Sequence, residues 1–546
     1  MTMTFDFSPG AQIPRTDASP HTAATAALSS AAYRDGPAEA LGNLNEATIE
    51  KHGRARRFAP NFGEAFCQAV IARTLDVTRK PLVRSFGMEP RIVVEHCLEA
   101  EELRHERDKK LTLVAVVFGL LFLPGTLVWL GAFEFRRRTD HPEKESWQGA
   151  AALAIAVLLA ALLAWRPFAG GLWGDYVRVL MVGPIIGWLI AQRICLRTAK
   201  QLRSRWGAII DGSSVGPKVP GAVPIGPEDT RAETLRKQLT ALAAEQETNY
   251  LHYAGAKGIL GIGKRWGSWQ LAEQLDPREG VTEIRPFHPW DVVRKIEEHL
   301  NRMTRSSVAT GGIPKIKVEN WIVQAIGEGA DEIGRPSGPE MDGTRMRASA
   351  VADIANGQRF GLGPRHYLGA QFVLWDGHLV VTLLITVTVL HDTLRVEVAG
   401  HALGPLPGAF TSPPRPPQVM VAKTGKFWEQ TAKNLPIVTN AEVVRLAVRA
   451  PFTWNQSLLN WLGGTWKVPE PFGLRSAWAS PPWTHRFMAD DALRVATPVL
   501  RAVHAATMEV MADHDVSTER FQNRSMMLGS EIQGTRPTKA DEYDAG

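Results

Sequence analysis

Apolar side chains are arranged along this chain in two different ways. Between 111 and 195 they form long runs with almost no charge, and beyond 360 they alternate with polar residues. The runs are 111–133 (LTLVAVVFGLLFLPGTLVWLGAF), 146–165 (SWQGAAALAIAVLLAALLAW) and the shorter 179–192 (VLMVGPIIGWLIAQ). A helix needs about 20 apolar residues to cross the hydrocarbon core, so the first two qualify by length and composition. The third crosses only if 172–176 join it while Arg178 and Arg193 reach outward to the headgroups. The expected transmembrane block therefore runs from 111 to 195. It comprises 111–133 as a span or a re-entrant hairpin, 147–165 as a span, and 172–195 as a third. Trp147, Trp165, Trp173 and Trp188 stand at or near the segment ends, where indole rings favour the interface.

The alternating runs are 366–375, 379–390 and 393–401, separated by Asp376-Gly377 and His391-Asp392, as tight hairpins require. In the middle run Leu379, Val381, Leu383, Ile385, Val387 and Val389 share one face, and Thr382, Thr386 and Thr388 point to the other. This predicts a half-buried antiparallel meander, with 315–323 as a further strand. Helical spacing recurs at Phe62, Phe66, Val70 and Ile71, and again at Val93, Val94, Cys97 and Leu98. A charged helix from about 95 to 110, with Pro90 near its start, is expected to run straight into the membrane. Further helices are expected over 231–247, 289–304 and 488–511. The fold class that follows is a membrane-anchored α+β protein: a helical transmembrane block, then a soluble domain built on the meander with flanking helices.

Composition divides the remainder. The first 45 residues are Ala-, Ser-, Thr- and Pro-rich and read as disordered, as does the tail, 513–546. Between them lie a helical region (46–110), the block, a basic juxtamembrane segment with a Gly/Pro linker (196–227), and an α+β domain (228–512). The three cysteines, Cys67, Cys97 and Cys195, cannot staple a large secreted domain, and a reducing compartment fits them. No basic stretch followed by an apolar core opens the chain, so no cleavable signal is read there.

The net charge of +6 is modest and gathers beside the apolar runs. It points to a lipid surface, and nucleic acid is not an expected partner. Arg104, Arg107, Lys109 and Lys110 precede the block, and Arg193, Arg197, Lys200, Arg203 and Arg205 follow it. Both clusters favour the cytoplasm. Arg136, Arg137 and Arg138 directly after the first run conflict with three simple crossings. A turn at Pro124-Gly125, making 111–133 a re-entrant hairpin, resolves the conflict. Two straight spans with 172–195 lying in the interface also resolve it. Both solutions put the N- and C-terminal parts in the cytoplasm of a plasma-membrane protein. The five basic residues from Arg193 to Arg205 could also dock on anionic headgroups, at about 1 kcal/mol each.

Residues 249–274 (NYLHYAGAKGILGIGKRWGSWQLAEQ), Arg365-His366-Tyr367-Leu368 and 375–382 (WDGHLVVT) carry a resemblance. They are similar to recurrent segments of a family of uncharacterised actinobacterial multi-pass membrane proteins. The resemblance implies the same architecture and supplies no activity.

Candidate chemistry is sparse. Gly258, Gly263 and Lys264 fit the GxxxxGK part of a phosphate-binding loop, but Arg265 stands where Ser or Thr should hold magnesium. The bland reading is a glycine-rich turn packed close to its neighbours, preceded by a poor parallel strand. His366, His378, His391 and His401 cluster in sequence around the meander, as edge or turn residues in the bland reading and metal ligands in the sharp one. Asp513, His514 and Asp515 form a further polar group. No catalytic constellation, cofactor or metal is assigned. The leading expectation is a non-enzymatic membrane-anchored scaffold or regulator with unidentified protein partners. A nucleotide-binding sensor or enzyme on the Gly258–Lys264 loop is the alternative, and a small transporter or channel subunit a second. For the latter, Asp175 and Arg178 are the near-membrane charges.

Overall fold

The computed structural model describes residues 21–36, 49–52, 56–76, 79–139, 147–165, 171–214, 216–224, 229–305, 313–327, 333–358, 360–412, 418–423, 426–434 and 437–522. The chain is α+β. Its first part contains α1 (Ala23–Ala31), β1 (Ile49–His52), α2 (Phe62–Leu75) and α3 (Pro90–Val114), and α3 continues through a π-helical turn, Ala115–Leu120. The apolar region follows with α4 (Leu123–Thr139), α5 (Trp147–Trp165), α6 (Gly171–Leu180) and α7 (Gly183–Ile210). Next come α8 (Thr230–Gln246), β2 (Tyr250–Tyr253), β3 (Lys264–Gln274), α9 (Pro289–Arg305), β4 (Ile316–Ala325), β5 (Met341–Asp342), β6 (Arg345–Met346) and α10 (Ala348–Gly357). The remainder holds β7 (Arg365–Leu374), β8 (Leu379–Leu390), β9 (Thr393–Leu403), α11 (Gly408–Thr411), β10 (Gln418–Lys423) and β11 (Lys426–Asn434). Last are α12 (Asn440–Arg449), α13 (Gln456–Gly463), β12 (Gly464–Lys467) and α14 (Arg486–Asp513).

The main sheet has six strands in the order β2-β4-β7-β8-β9-β3. All neighbours pair antiparallel except β2 and β4, which are parallel. The meander thus lies where the alternation puts it, and its turns use left-handed backbone at Trp375, Asp376 and His391. One face is covered by α9 and α14, through Val292, Val293, Ile296 and Leu300 on the first helix and Met488, Val499 and Val503 on the second. The other face packs Phe86, Leu251, Ile262 and Trp321 against Val380 and Leu384.

That second layer corrects the half-buried reading of β8. Val380, Thr382 and Leu384 are as buried as the face opposite. Thr382 accepts a hydrogen bond from Gln371 Nε2 (3.2 Å), which satisfies it there. The segment 249–253, read as a poor parallel strand, forms the parallel edge strand β2 beside β4.

A second core is helical and draws on both ends of the chain. Ala24, Ala27, Leu28 and Ala31 of α1, Phe66 and Val70 of α2, and Val93 and Cys97 of α3 meet Leu202, Leu242, Phe410, Phe472 and Trp478. Two expectations fail here. Residues 1–45 contain a buried helix, because the small side chains of α1 let it approach its neighbours closely. The tail reading also begins too early, since Val516 and Phe521 are 1% and 0% exposed in the sheet core. The rest of the tail, 523–546, lies outside the described residues.

Among the described residues no single helix is long and apolar enough to cross a membrane. Two bent pairs have the length and composition together: Pro90–Leu120 with Leu123–Arg136, bent by 105°, and Trp173–Leu180 with Gly183–Ile210, bent by 45°. The stretch 111–133 is therefore broken rather than one straight helix. The break falls at Leu121-Phe122, a few residues before Pro124. Pro124 is the second residue of α4, where its missing N–H costs nothing. Within α5, Ala151–Trp165 is the shorter apolar helix.

Candidate functional site: an apolar helical surface on a charged collar

The helices from the end of α3 to the start of α7 present large apolar side chains outward. Leu113 (67% exposed), Leu120 (64%), Ile155 (67%), Leu158 (62%), Leu162, Val182, Ile186, Leu189 and Ile190 are among them. Exposed apolar patches on water-soluble chains rarely exceed a few hundred square ångströms. This surface runs over five successive helical segments.

At each break in these helices a freed carbonyl is bonded from the other bent pair. A break frees carbonyls that the helix would otherwise bond, and outside water each must find another donor. Tyr176 of α6 donates its hydroxyl to Leu121 O (2.9 Å), and Trp129 of α4 donates its indole N–H to Met181 O (3.0 Å). Thr126 Oγ donates within the α4 side, to Phe122 O at 3.0 Å and Gly119 O at 3.2 Å. Each bent pair thus satisfies a break in the other. Glycine makes the crossing possible. A Cβ on Gly125 would strike the Leu180 carbonyl, and one on Gly187 would lie 2.6 Å from Phe118 Cβ. Phe122 stacks on Tyr176 across the same crossing, with centroids 5.9 Å apart. Leu111 and Gln192, where the charge-free runs end, each lie about 15 Å along the helix axis from the breaks, at 1.5 Å per residue.

Below this surface lies a collar of buried charge. Arg449 of α12 grips Glu64 of α2 with two bonds (2.7 and 2.6 Å) and gives its Nε to Phe58 O. Burial alone would raise the Glu64 carboxyl, but Arg449, with Arg107 and Arg104 behind it, outweighs burial and holds it at about 2. On α3, Arg107 pairs with Asp108 (2.7 Å) and Arg104 donates to Ala32 O (2.6 Å). One turn earlier Glu99 accepts from Tyr33 (2.7 Å) and Arg205 (2.7 Å). Burial raises the Tyr33 hydroxyl, and its bond to Glu99 raises it further. A cleft of about 60 Å³ opens among Glu64, Cys67, Arg104, His105, Asp108 and Gln456, with room for one or two waters. Leu111, Ala191 and Cys195 seal the side of the collar toward the apolar helices against Val443 and Leu446 of α12 and the following Ala450.

The five basic residues after the block divide into two groups. Arg193, Arg197 and Lys200 are exposed on α7 at helical spacing, suited to anionic headgroups. Arg203 pairs with Asp35 and Arg205 with Glu99, so both serve the body of the protein.

Gly258, Gly263 and Lys264 do not form the strand–loop–helix arrangement of a phosphate-binding loop. The loop leads into strand β3, and Lys264 pairs with Ala402. Its glycines serve close packing: a Cβ on Gly261 would come 2.5 Å from Arg84 O, and one on Gly263 would strike Ala402. The four histidines do not converge on a metal. His366 bonds Asn320 (2.9 Å), His391 lies exposed at the turn beside Asp392, and His378 and His401 are buried separately. Among the described residues no group of three or more His, Cys, Asp or Glu is placed to hold a metal. Asp515 accepts from Arg285 Nε (2.7 Å) and His514 meets Arg285 O, which docks the end of α14 on the loop before α9. Asp175 and Arg178 pair with each other (3.2 Å) on α6.

The Glu64–Arg449 pair has no signature in the sequence, because its partners are 385 residues apart. The same holds for Arg475, fully buried, whose Nη2 donates to the carbonyls of Gly377, His378 and Gly404. Burial lowers the Arg475 guanidinium to about 9. Burial, then Arg475, hold His378 neutral at about 3.

Residues 268–538 are similar to the AbeC-like domain family. The match starts within β3 and covers most of the sheet, α9 and α14, and it leaves out the apolar helices, the first part of the chain and the glycine loop. No curated protein and no solved structure matches the chain.

Proposed function

We propose that this chain is an integral plasma-membrane protein, held in the bilayer by its two bent helix pairs and α5, that carries one soluble body on the cytoplasmic side. The supporting observation is that Tyr176 and Trp129 each bond a carbonyl freed at a helix break, within an outward apolar surface. Such bonding is dispensable where water is present and necessary where it is not. The breaks then sit about 15 Å from the charge boundary, near the midplane of a core about 30 Å thick. The 105° bend turns α4 back toward the entry face, so Arg136–Arg138 stay with the other basic clusters, as in the re-entrant solution. Helices α1, α2 and α3 share a core with Phe410, Phe472 and Trp478. The described parts of the chain before and after the apolar helices therefore lie on the same side of the bilayer in this reading. Three unpaired cysteines and the exposed basic residues on α7 favour the cytoplasmic side.

The body then acts without catalysis, as a scaffold or regulator presenting its AbeC-like region at a fixed height above the membrane. Single cysteines at Arg136, Trp173 and Ser214, probed in intact cells with a membrane-impermeant thiol reagent, test this reading. Labelling at Trp173 alone is expected. Labelling at Ser214 would place the body outside the cell. Release of the whole chain from membranes by alkaline carbonate would end the membrane reading altogether.

A further inference from the structure

Helix α13 is apolar well beyond the side it buries. Leu459 and Gly463 are buried against the body, and Gly463 fits so tightly that a Cβ would strike the Phe58 carbonyl. Leu458 (39% exposed), Trp461 (52%) and the half-buried Leu462 point outward, with Trp454 (65%) just before the helix. Gln456, Asn460 and Ser457 fill the remaining arc, so the exposed apolar side chains continue from the buried ones around one side of the helix. An ordinary surface helix is polar on its outward side.

We infer that α13, with Trp454, is an interfacial anchor that lies in the headgroup layer of the same bilayer and binds lipid through Trp454, Leu458 and Trp461. The inference rests on the membrane reading above and adds a contact outside the apolar block. Three observations fix its level. The 3₁₀ turn Arg56–Phe58, on which α13 sits, sends Arg57 to an ion pair with Glu134 near the end of the apolar part of α4. Trp454 lies 6.3 Å, centroid to centroid, from His105 on α3. His105 is six residues, or about 9 Å, before Leu111, where the charge-free run begins. The headgroup layer is about 5–8 Å thick on each side of the core, so His105 stands just beyond its outer edge, at a level from which the exposed Trp454 ring beside it can enter the layer. Indole rings favour that layer. The exposed Lys109 and Lys110 nearby, with half-exposed Arg57, add the positive charge that anionic headgroups attract.

The test uses the full chain in vesicles of phosphatidylcholine and phosphatidylglycerol. Leu458→Cys carries an environment-sensitive fluorophore, and Leu158→Cys and Glu279→Cys are labelled as deep and distal references. The native thiols are buried and stay unlabelled in the folded chain. Lipids bearing a spin label near the headgroup should quench the Leu458 probe more than lipids labelled deep in the acyl chain. The Leu158 probe should show the reverse order, and the Glu279 probe no quenching. Quenching at Leu158 without quenching at Leu458 overturns the interfacial anchor and leaves the membrane reading standing. A blue-shifted but unquenched Leu458 probe also overturns it, since protein rather than lipid would then cover the face. Absence of quenching at both positions overturns the anchor and the membrane reading together.

Discussion

Tyr176→Phe removes one hydroxyl and almost no volume, so it isolates the bond to Leu121 O. In water the exposed carbonyl would be rehydrated, and the change would stay within about 0.5 kcal/mol, as surface substitutions do. In hydrocarbon no donor replaces the hydroxyl. Interhelical bonds in membranes average about 0.6 kcal/mol and reach about 1.7. A carbonyl left open at a helix break belongs at the upper end, because its own helix cannot recapture it. The expected cost is therefore about 1–2 kcal/mol for Tyr176→Phe. It is somewhat more for Trp129→Phe, which loses the bond to Met181 O and ring area as well. The two crossings are adjacent, so the double variant should depart from additivity. Reversible unfolding in lipid bicelles, followed by circular dichroism during titration with a denaturing detergent, measures these differences. If both single variants fall within about 0.5 kcal/mol of the parent, the breaks are hydrated and the argument for a bilayer environment fails.

Three further outcomes follow from the collar and the sheet. Arg449→Met leaves Glu64 buried without its partner and should cost about 3–5 kcal/mol; adding Glu64→Gln should recover much of that in melting experiments, and a double variant no better than the single would refute the pairing argument. Burial lowers His366 and His401 to about 4 and His378 to about 3, from 6.5, so the unfolded chain binds about three more protons near pH 5. Stability should accordingly fall as pH drops below about 6.5, by up to about 4 kcal/mol per unit, and a flat profile between pH 6.5 and 4.5 would contradict their burial. The Glu64 shift is downward as well, so its contribution too is complete above about 4.5 and is lost as pH falls toward 2; Glu64→Gln should flatten the acid limb. Finally, nucleotide with magnesium should leave the melting temperature unchanged, and a stabilisation abolished by Lys264→Ala would restore the nucleotide-binding alternative.

Legibility in the sequence followed the range of the interaction. The meander was readable because strand alternation and turn dipeptides are local, and β7, β8 and β9 begin and end within a few residues of the expected runs. The amphipathic face of α9 was equally local. Helix α1 was not readable: AATAALSSA looks like a disordered composition until α2, α3 and α7 provide a surface that small residues can fit. The burial of Val380 and Thr382 depends on Phe86 and Trp321, which reach β8 from distant segments. The polar half of a strand pattern therefore predicted solvent where the protein supplies a second layer. The break in 111–133 was anticipated from Pro124-Gly125 but displaced, because proline is best tolerated just after a turn. The glycine loop misled in the other direction: its spacing fits a phosphate cradle, while its conformation serves contact with Arg84 and Ala402.

Helices α3 and α7 decide how the two environments communicate. Each runs without interruption from the charged collar to the broken crossing, and α7 alone is 28 residues, about 42 Å, long. Their shared seam at Leu111, Ala191 and Cys195 is covered by α12, and α12 ends in Arg449, which is bonded to Glu64. Tilting the apolar helices against the body would have to open that seam or stretch a buried bidentate ion pair. Opening the pair strands two charges at a cost of about 3–5 kcal/mol, well above thermal energy. The body therefore cannot swing on its anchor as a domain on a flexible linker does. Under the proposed scaffold reading, this fixes the orientation in which the sheet and its edge strand β3 would face a partner.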